Sequence, residues 1–171
     1  MSDTPGSGAL ADLPPAIDSR REFIAALRGS VQLAVAQRAR RMLWADHDFA
    51  DWPLDDPTLL EAMTQWLRLP GRHLVLLAHN FDGVSRRCPR FVAWYRVWSH
   101  GVSAFSPQPS DAAELRCLLL VEGKAAVQLV DKERWRGWIS IDPQEVKQLR
   151  DSIDALLQRS DPAFPATTLG L

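Results

Sequence analysis

Asp46, His47 and Asp48 occupy three successive positions in the stretch WADHDFADWPLDD, residues 44–56, which holds five Asp, one His and no Lys or Arg. Carboxylates and an imidazole so close together suit ligation of a hard or borderline divalent metal, or general acid–base work. A second set, His79, Asn80 and Asp82, follows the apolar run HLVLLA at 73–78. A third, Arg86, Arg87 and Arg90, surrounds Cys88-Pro89. Open N–H groups at a helix start attract an anion, and arginine adds a two-pronged donor, so this set suits a phosphate. The same arginines would favour a thiolate on Cys88, but no base is assignable to it. The chain has no Gly-rich phosphate loop, no Cys/His zinc spacing and no nucleophile elbow.

These residues need elements to position them. Ser19-Arg-Arg-Glu22 is a capping box, followed by Phe23, Ile24 and Leu27 at helical spacing, with Gly29 as a stop. Val31, Leu33 and Val35 alternate, so 31–39 reads as strand ahead of helix. RMLWA at 41–45 is a buried strand. Asp56-Pro57 opens a helix with the stripe Leu59, Leu60, Met63, Trp66 and Leu67. HLVLLA is a continuous apolar strand of the parallel type. Pro89 begins a helix with Phe91, Trp94, Tyr95 and Trp98 on one face, and 102–105 is a short strand. LRCLLLV at 115–121, the turn Glu122-Gly123-Lys124 and the return at 125–130 make a hairpin. Trp135 and Trp138 lie in a Gly-interrupted stretch that reads as a further edge strand; with Trp52 they belong to the core, or line a groove with Arg134 and Arg136. Asp142-Pro143 opens the last helix.

Strand–helix–strand alternation implies a parallel core with right-handed crossovers. The expected fold is therefore α/β: a single-domain mixed sheet with a parallel βαβαβ core, a C-terminal hairpin and a final helix, or another three-layer α/β arrangement. Residues 1–17 read as a loose leader, 18–160 as the domain and 161–171 as an extended tail. In such sheets ligands bind beyond the carboxyl ends of the parallel strands. This places Asp46, His47 and Asp48 at one end, His79, Asn80 and Asp82 at the next, and Ser106 and Gln108 at the third.

The 171 residues, 46% hydrophobic and 24% charged, suffice for one core. Net charge is −1, which gives no strong nucleic-acid signal. Two cysteines provide no disulfide framework, no apolar run is long enough to span a bilayer, and no signal peptide is visible, so a cytoplasmic location is expected. Residues 43–67 hold six acids (Asp46, Asp48, Asp51, Asp55, Asp56, Glu61) and no base, whereas 83–110 hold four arginines and no acid. Two solvated faces, or one mixed-charge cleft, would both produce this pattern.

The element order resembles one half of the phospholipase D-like fold, in which a strand, a helix and a second strand precede a hairpin. That family's His-x-Lys-x-x-x-x-Asp motif lies on the hairpin's first strand and ends in an Asp-Gly-Lys-like turn, which Glu122-Gly123-Lys124 resembles. Aligned on that turn, Leu115 stands at the nucleophilic His, Cys117 at the Lys and Glu122 at the Asp. No His elsewhere is followed two residues later by Lys. The resemblance thus implies a degenerate copy of uncharacterised bacterial type, without that activity. Asp46-x-Asp48 also resembles the start of the aspartyl-nucleophile phosphatase loop, but Ala50 stands where Thr or Val is expected.

The leading expectation is a non-catalytic binding domain for a small anionic ligand or a protein partner. Its site would be drawn from Asp46, His47, Asp48, His79, Asn80, Arg86, Arg87 and Arg90. The alternatives are a metal-assisted hydrolase or phosphoryl-transfer enzyme centred on Asp46, Asp48 and His79, and a homodimer in which the tail Phe164–Leu171 docks on a second copy. No cofactor, metal or membrane partner can be named from the sequence.

Overall fold

The computed structural model describes residues 8–165. Its centre is an eight-stranded sheet in the order β1-β7-β6-β5-β2-β3-β4-β8. Strands β2 (Arg41–Asp46), β3 (His73–Ala78) and β4 (Val102–Pro107) run parallel. On the other side of β2 lie the antiparallel hairpin β5 (Cys117–Val121) and β6 (Ala125–Asp131), then β7 (Arg136–Ser140). Short strands β1 (Ala16–Ile17) and β8 (Ser160–Pro162) cap the two edges. The mixed sheet with its parallel core, hairpin and final helix is the fold the sequence pattern leads to.

Helix α1 is the short turn Gly8–Ala11, and α2 spans Arg20–Ala36. Helices α3 (Pro57–Leu67), α4 (Asp82–Arg87) and α5 (Pro89–Val97) join α2 on one face, over a large core holding Phe23, Trp44, Trp66, Leu76 and Phe91. The other face carries α6 (Pro143–Gln158) alone among the described α-helices, and its Val146, Leu149, Ile153 and Leu156 pack on Leu43, Val75, Leu77, Leu118 and Ala126. Both parallel crossovers, β2-α3-β3 and β3-α4-α5-β4, lie on the first face. That is why one face is thickly covered and the other thinly.

Two local expectations are corrected. Residues 31–36 continue helix α2 instead of forming a strand, because Val31, Leu33 and Ala34 fit its buried stripe along with Phe23, Ala26 and Leu27. Gly29 does not end that helix: it lies inside it beside α1, and a Cβ there would sit 3.4 Å from Leu10 Cδ1, an ordinary contact. Before α2, Leu10 and Ile17 are buried and Ile17 pairs with Gly137.

Caps hold the helices as the side-chain chemistry dictates. Ser19 Oγ accepts from Glu22 N–H, Asp56 from Thr58 N–H, and Asp142 from Gln144 N–H. The segment after β4 turns through a 3-10 stretch, Pro109–Glu114, and runs to β5 past the carboxyl ends of β3 and β2. Arg159 fastens it through Asp111 and Glu114.

Candidate functional site

The end of β2 holds a fully buried carboxylate. Asp46 is 0% exposed. Its Oδ2 accepts the Phe49 N–H at 2.8 Å, and Lys132 Nζ lies 2.5 Å from Oδ1, which has no other partner among the described residues. The hairpin register explains how Lys132 arrives. Cys117 pairs with Leu129 and Leu118 with Ala45, so the residue after β6 emerges beside the end of β2. Burial disfavours the Lys132 ammonium, but its hydrogen bond to Asp46 and that residue's charge outweigh burial and raise its pKa. Lys132 keeps 34% of its side chain exposed, so one end of the pair faces solvent.

Cys117 completes the cluster, in contact with Asp46 and Trp52. Burial first, then the Asp46 charge, push its thiol far above the ordinary range, against the opposing pull of Lys132. Cys88 is raised as well, by burial and then by Asp55, with Arg87 opposing. The thiolate that three arginines would favour at Cys88 is therefore disfavoured by its setting.

The loop after β2 is tightly wound. Phe49 adopts φ 58, an unusual state for a bulky side chain, and packs its ring on Trp52 and Phe81. The Asp46–Phe49 hydrogen bond and one from Ala50 N–H to Asp48 Oδ1 fix that turn. Asp48 is thereby engaged by its own backbone. Its carbonyl accepts from Arg87, whose guanidinium lies where a Cβ on Gly83 would fall.

His47 and His79 are exposed, and their rings stack with centroids 5.0 Å apart. The Asn80 N–H donates to the His47 carbonyl, and Asn80 Oδ1 accepts from Asp82 N–H. The pair stands between two cavities. One, about 290 Å³, is lined by Asp46, His47, Arg116, Cys117, Gln128 and Lys132. The other, about 460 Å³, is lined by His79, Asn80, Asp82, Ser85, Ser106 and Phe164. Phe164 reaches that cavity because β8 pairs with β4 and the chain continues over Phe81 and Tyr95. Residues 166–171 of the expected docking tail lie outside the described residues.

Arg86, Arg87 and Arg90 are all exposed beside the start of α5. The open N–H groups there are already met: Asp55 Oδ1 accepts from Arg90 N–H at 2.7 Å and Phe91 N–H at 3.1 Å. The structure thus brings Asp46 to Lys132, His47 to His79, and Asp48 to Arg87. No group of three or more His, Cys, Asp or Glu converges as metal ligands among the described residues. Lys132 and Arg116 were absent from the sequence-derived set. The hairpin pairing was the signal for Lys132, because an ammonium just past β6 must return to the β2 end.

No family model matches the chain, and no curated protein matches it in sequence. Solved structures do share its fold. TrmBL2, an archaeal chromatin protein whose structure shows a novel mode of DNA binding, superposes with a TM-score of 0.59 at 12% identity, over 86% of this chain and 54% of its own. Phosphatidylserine synthase from Haemophilus influenzae Rd KW20, a phospholipase D-like family member, superposes with a TM-score of 0.56 at 12% identity, over 88% and 38%. The chain thus spans about half of the first protein and under two-fifths of the second. The class is a mixed α/β domain of the kind found in both. One expectation is overturned here. Net charge gave no nucleic-acid signal, yet the fold occurs in a DNA-binding protein. Net charge averages over the whole surface and says little about one cleft. No helix among the described residues is long and apolar enough to cross a membrane.

Proposed function

We propose that the chain is a non-catalytic binding domain, a degenerate phospholipase D-like half, whose strand-end cleft takes a phosphate group. The observation that carries this is the Asp46–Lys132 anchor beside Arg116. A buried carboxylate holds the ammonium at a fixed point on the 290 Å³ cavity. Arg116 lines the same cavity, is exposed, and has no ion pair among the described residues. Among the residues lining the cavity Asp46 and Lys132 cancel, so Arg116 is its one unpaired charge, with the exposed His47 imidazole beside it. Charge-assisted hydrogen bonds to a phosphate are the strongest contacts such a set can make. The phosphate of a small ligand and that of a nucleic-acid backbone present the same oxygens to such a cleft.

The metal-assisted alternative has less support, since Asp46 faces Lys132 and Asp48 faces its own loop backbone. Calorimetric titration of the full chain with inorganic phosphate and with dimethyl phosphate tests the proposal. Arg116→Ala is expected to weaken binding about tenfold or more, the usual worth of a hydrogen bond to a charged group. Arg96→Ala, on the exposed side of α5, is the control and is expected to change nothing. Absence of binding at millimolar concentrations, or equal affinity in wild type and Arg116→Ala, overturns the reading.

A further inference from the structure

The thinly covered face of the sheet holds a polar group with no partner. Across the sheet, Phe105, Leu77, Ala45, Leu118, Gln128 and Trp138 are successive neighbours on β4, β3, β2, β5, β6 and β7. Gln128 is the one polar residue in that row. It is 8% exposed, and its side-chain amide makes no hydrogen bond among the described residues. Its amide opens onto the cavities it lines, so its donor and acceptor are available to a ligand. The amide lines two cavities at once. One is the phosphate cleft. The other, about 330 Å³, lies between the sheet and α6, and Arg116, Trp138, Leu149 and Ser152 also line it. That volume falls at the lower end of the range for small-molecule pockets, about 300–1,000 Å³.

From this arrangement we propose that Gln128 and Trp138 form a subsite for a nucleobase whose phosphate rests at Arg116. The proposal rests on the phosphate reading above and names its ligand as a nucleotide. Each part has a chemical reason. A carboxamide carries a donor and an acceptor side by side and can pair with the edge of a base. The Trp138 indole, directly across the strand pair from Gln128, offers a flat face for stacking, which any base accepts. Arg116 borders both cavities, so one guanidinium can hold the phosphate while the base lies over the sheet. Glu145 also lines the second cavity, and its carboxylate accepts a hydrogen bond from Ser140 Oγ. The ligand is either a free nucleotide or one unit of a single strand.

The test is calorimetric titration of the full chain with the four nucleoside 5′-monophosphates, their nucleosides, ribose 5-phosphate and a hexanucleotide. At least one monophosphate is expected to bind about tenfold or more tighter than ribose 5-phosphate, the order of one base-stacking contact. Trp138→Ala and Gln128→Leu are expected to abolish that difference while leaving ribose 5-phosphate affinity unchanged, and Trp138→Phe to preserve most of it. Gln128→Leu is also expected to melt no lower than wild type, so its loss of binding is not unfolding. Tighter binding of the hexanucleotide than of any monophosphate identifies a strand; equal or weaker binding identifies a free nucleotide. Equal affinity for ribose 5-phosphate and all four monophosphates overturns the base subsite and leaves the phosphate cleft standing. Nucleosides that bind unaffected by Arg116→Ala uphold the subsite and overturn the phosphate reading. No binding by any ligand overturns both.

Discussion

Replacing Lys132 with Met removes the ammonium but keeps the apolar stem, so the change isolates the charge. Asp46 would then sit at 0% exposure with one oxygen facing no donor. Removing one partner of a fully buried pair costs about 3–5 kcal/mol. Here the cost is discounted, because Lys132 is one-third exposed and the Phe49 N–H stays on Oδ2, so we expect about 2–3 kcal/mol. For a chain of this size that lowers the melting temperature by about 4–12 °C. Asp46→Asn keeps an acceptor for Phe49 and lets Lys132 swing to water, and is expected to cost only about 1–2 kcal/mol. In urea unfolding followed by circular dichroism, the double variant is expected to be no less stable than Lys132→Met, a coupling of about 1 kcal/mol or more. The pH dependence follows from the raised Lys132 pKa. The pair contributes fully below the unfolded lysine value of about 10.4 and is lost as pH rises through the higher folded value. The wild type–variant gap should therefore be flat from pH 7 to 9 and close only in strong alkali. A cost under about 0.5 kcal/mol for Lys132→Met, or strict additivity of the two changes, refutes the anchored pair.

Three further outcomes are expected. Neither Cys88 nor Cys117 should react with a disulfide reagent within minutes at pH 8 in the folded chain, and both should react in urea, since burial raises both thiols; rapid native labelling of Cys117 would contradict its setting. His73 has its pKa lowered by burial and then by Arg41, so the unfolded chain takes up a proton that the folded chain resists. Stability should then fall as pH drops below about 6.5, and His73→Gln, which can keep the contact with Ser103, should flatten that slope in melts between pH 7.5 and 5. Gly137→Ala would place a Cβ 2.1 Å from the Gln128 carbonyl oxygen and 2.9 Å from Leu129 Cα, both backbone, and should cost more than about 2 kcal/mol. By contrast Gly29→Ala, inside α2 with its nearest neighbour at 3.4 Å, should be neutral or gain up to about 1 kcal/mol in thermal melts.

Particular residues show why parts of the fold were legible and others were not. LVLLA at 74–78 and CLLLV at 117–121 are unbroken apolar runs with Gly71 and Gly123 close to one end of each, and buried strands fit them. Val31, Leu33 and Val35 satisfy both a period of two and the stripe of a helix, and only packing against the sheet decides. Gly29 looks like a helix stop because nothing local reveals that the helix packs on through it to Ala36. The strand-end location of the candidate site follows from topology, and Asp46, His47 and His79 line its cavities. Lys132 and Arg116 come from segments distant in sequence, and only the hairpin register and the crossing segment bring them in. Asp55 stands directly before Asp56, the cap of α3. It instead caps α5, a contact 35 residues away.

The most direct test of the central claim is a backbone amide NMR titration of the full chain with inorganic phosphate. Saturable shifts centred on His47, Arg116, Cys117 and Lys132, lost in Arg116→Ala, are predicted. Saturable shifts centred instead on Arg86, Arg87 and Arg90, or no saturable shifts at all, would contradict a phosphate cleft built on the Asp46–Lys132 anchor.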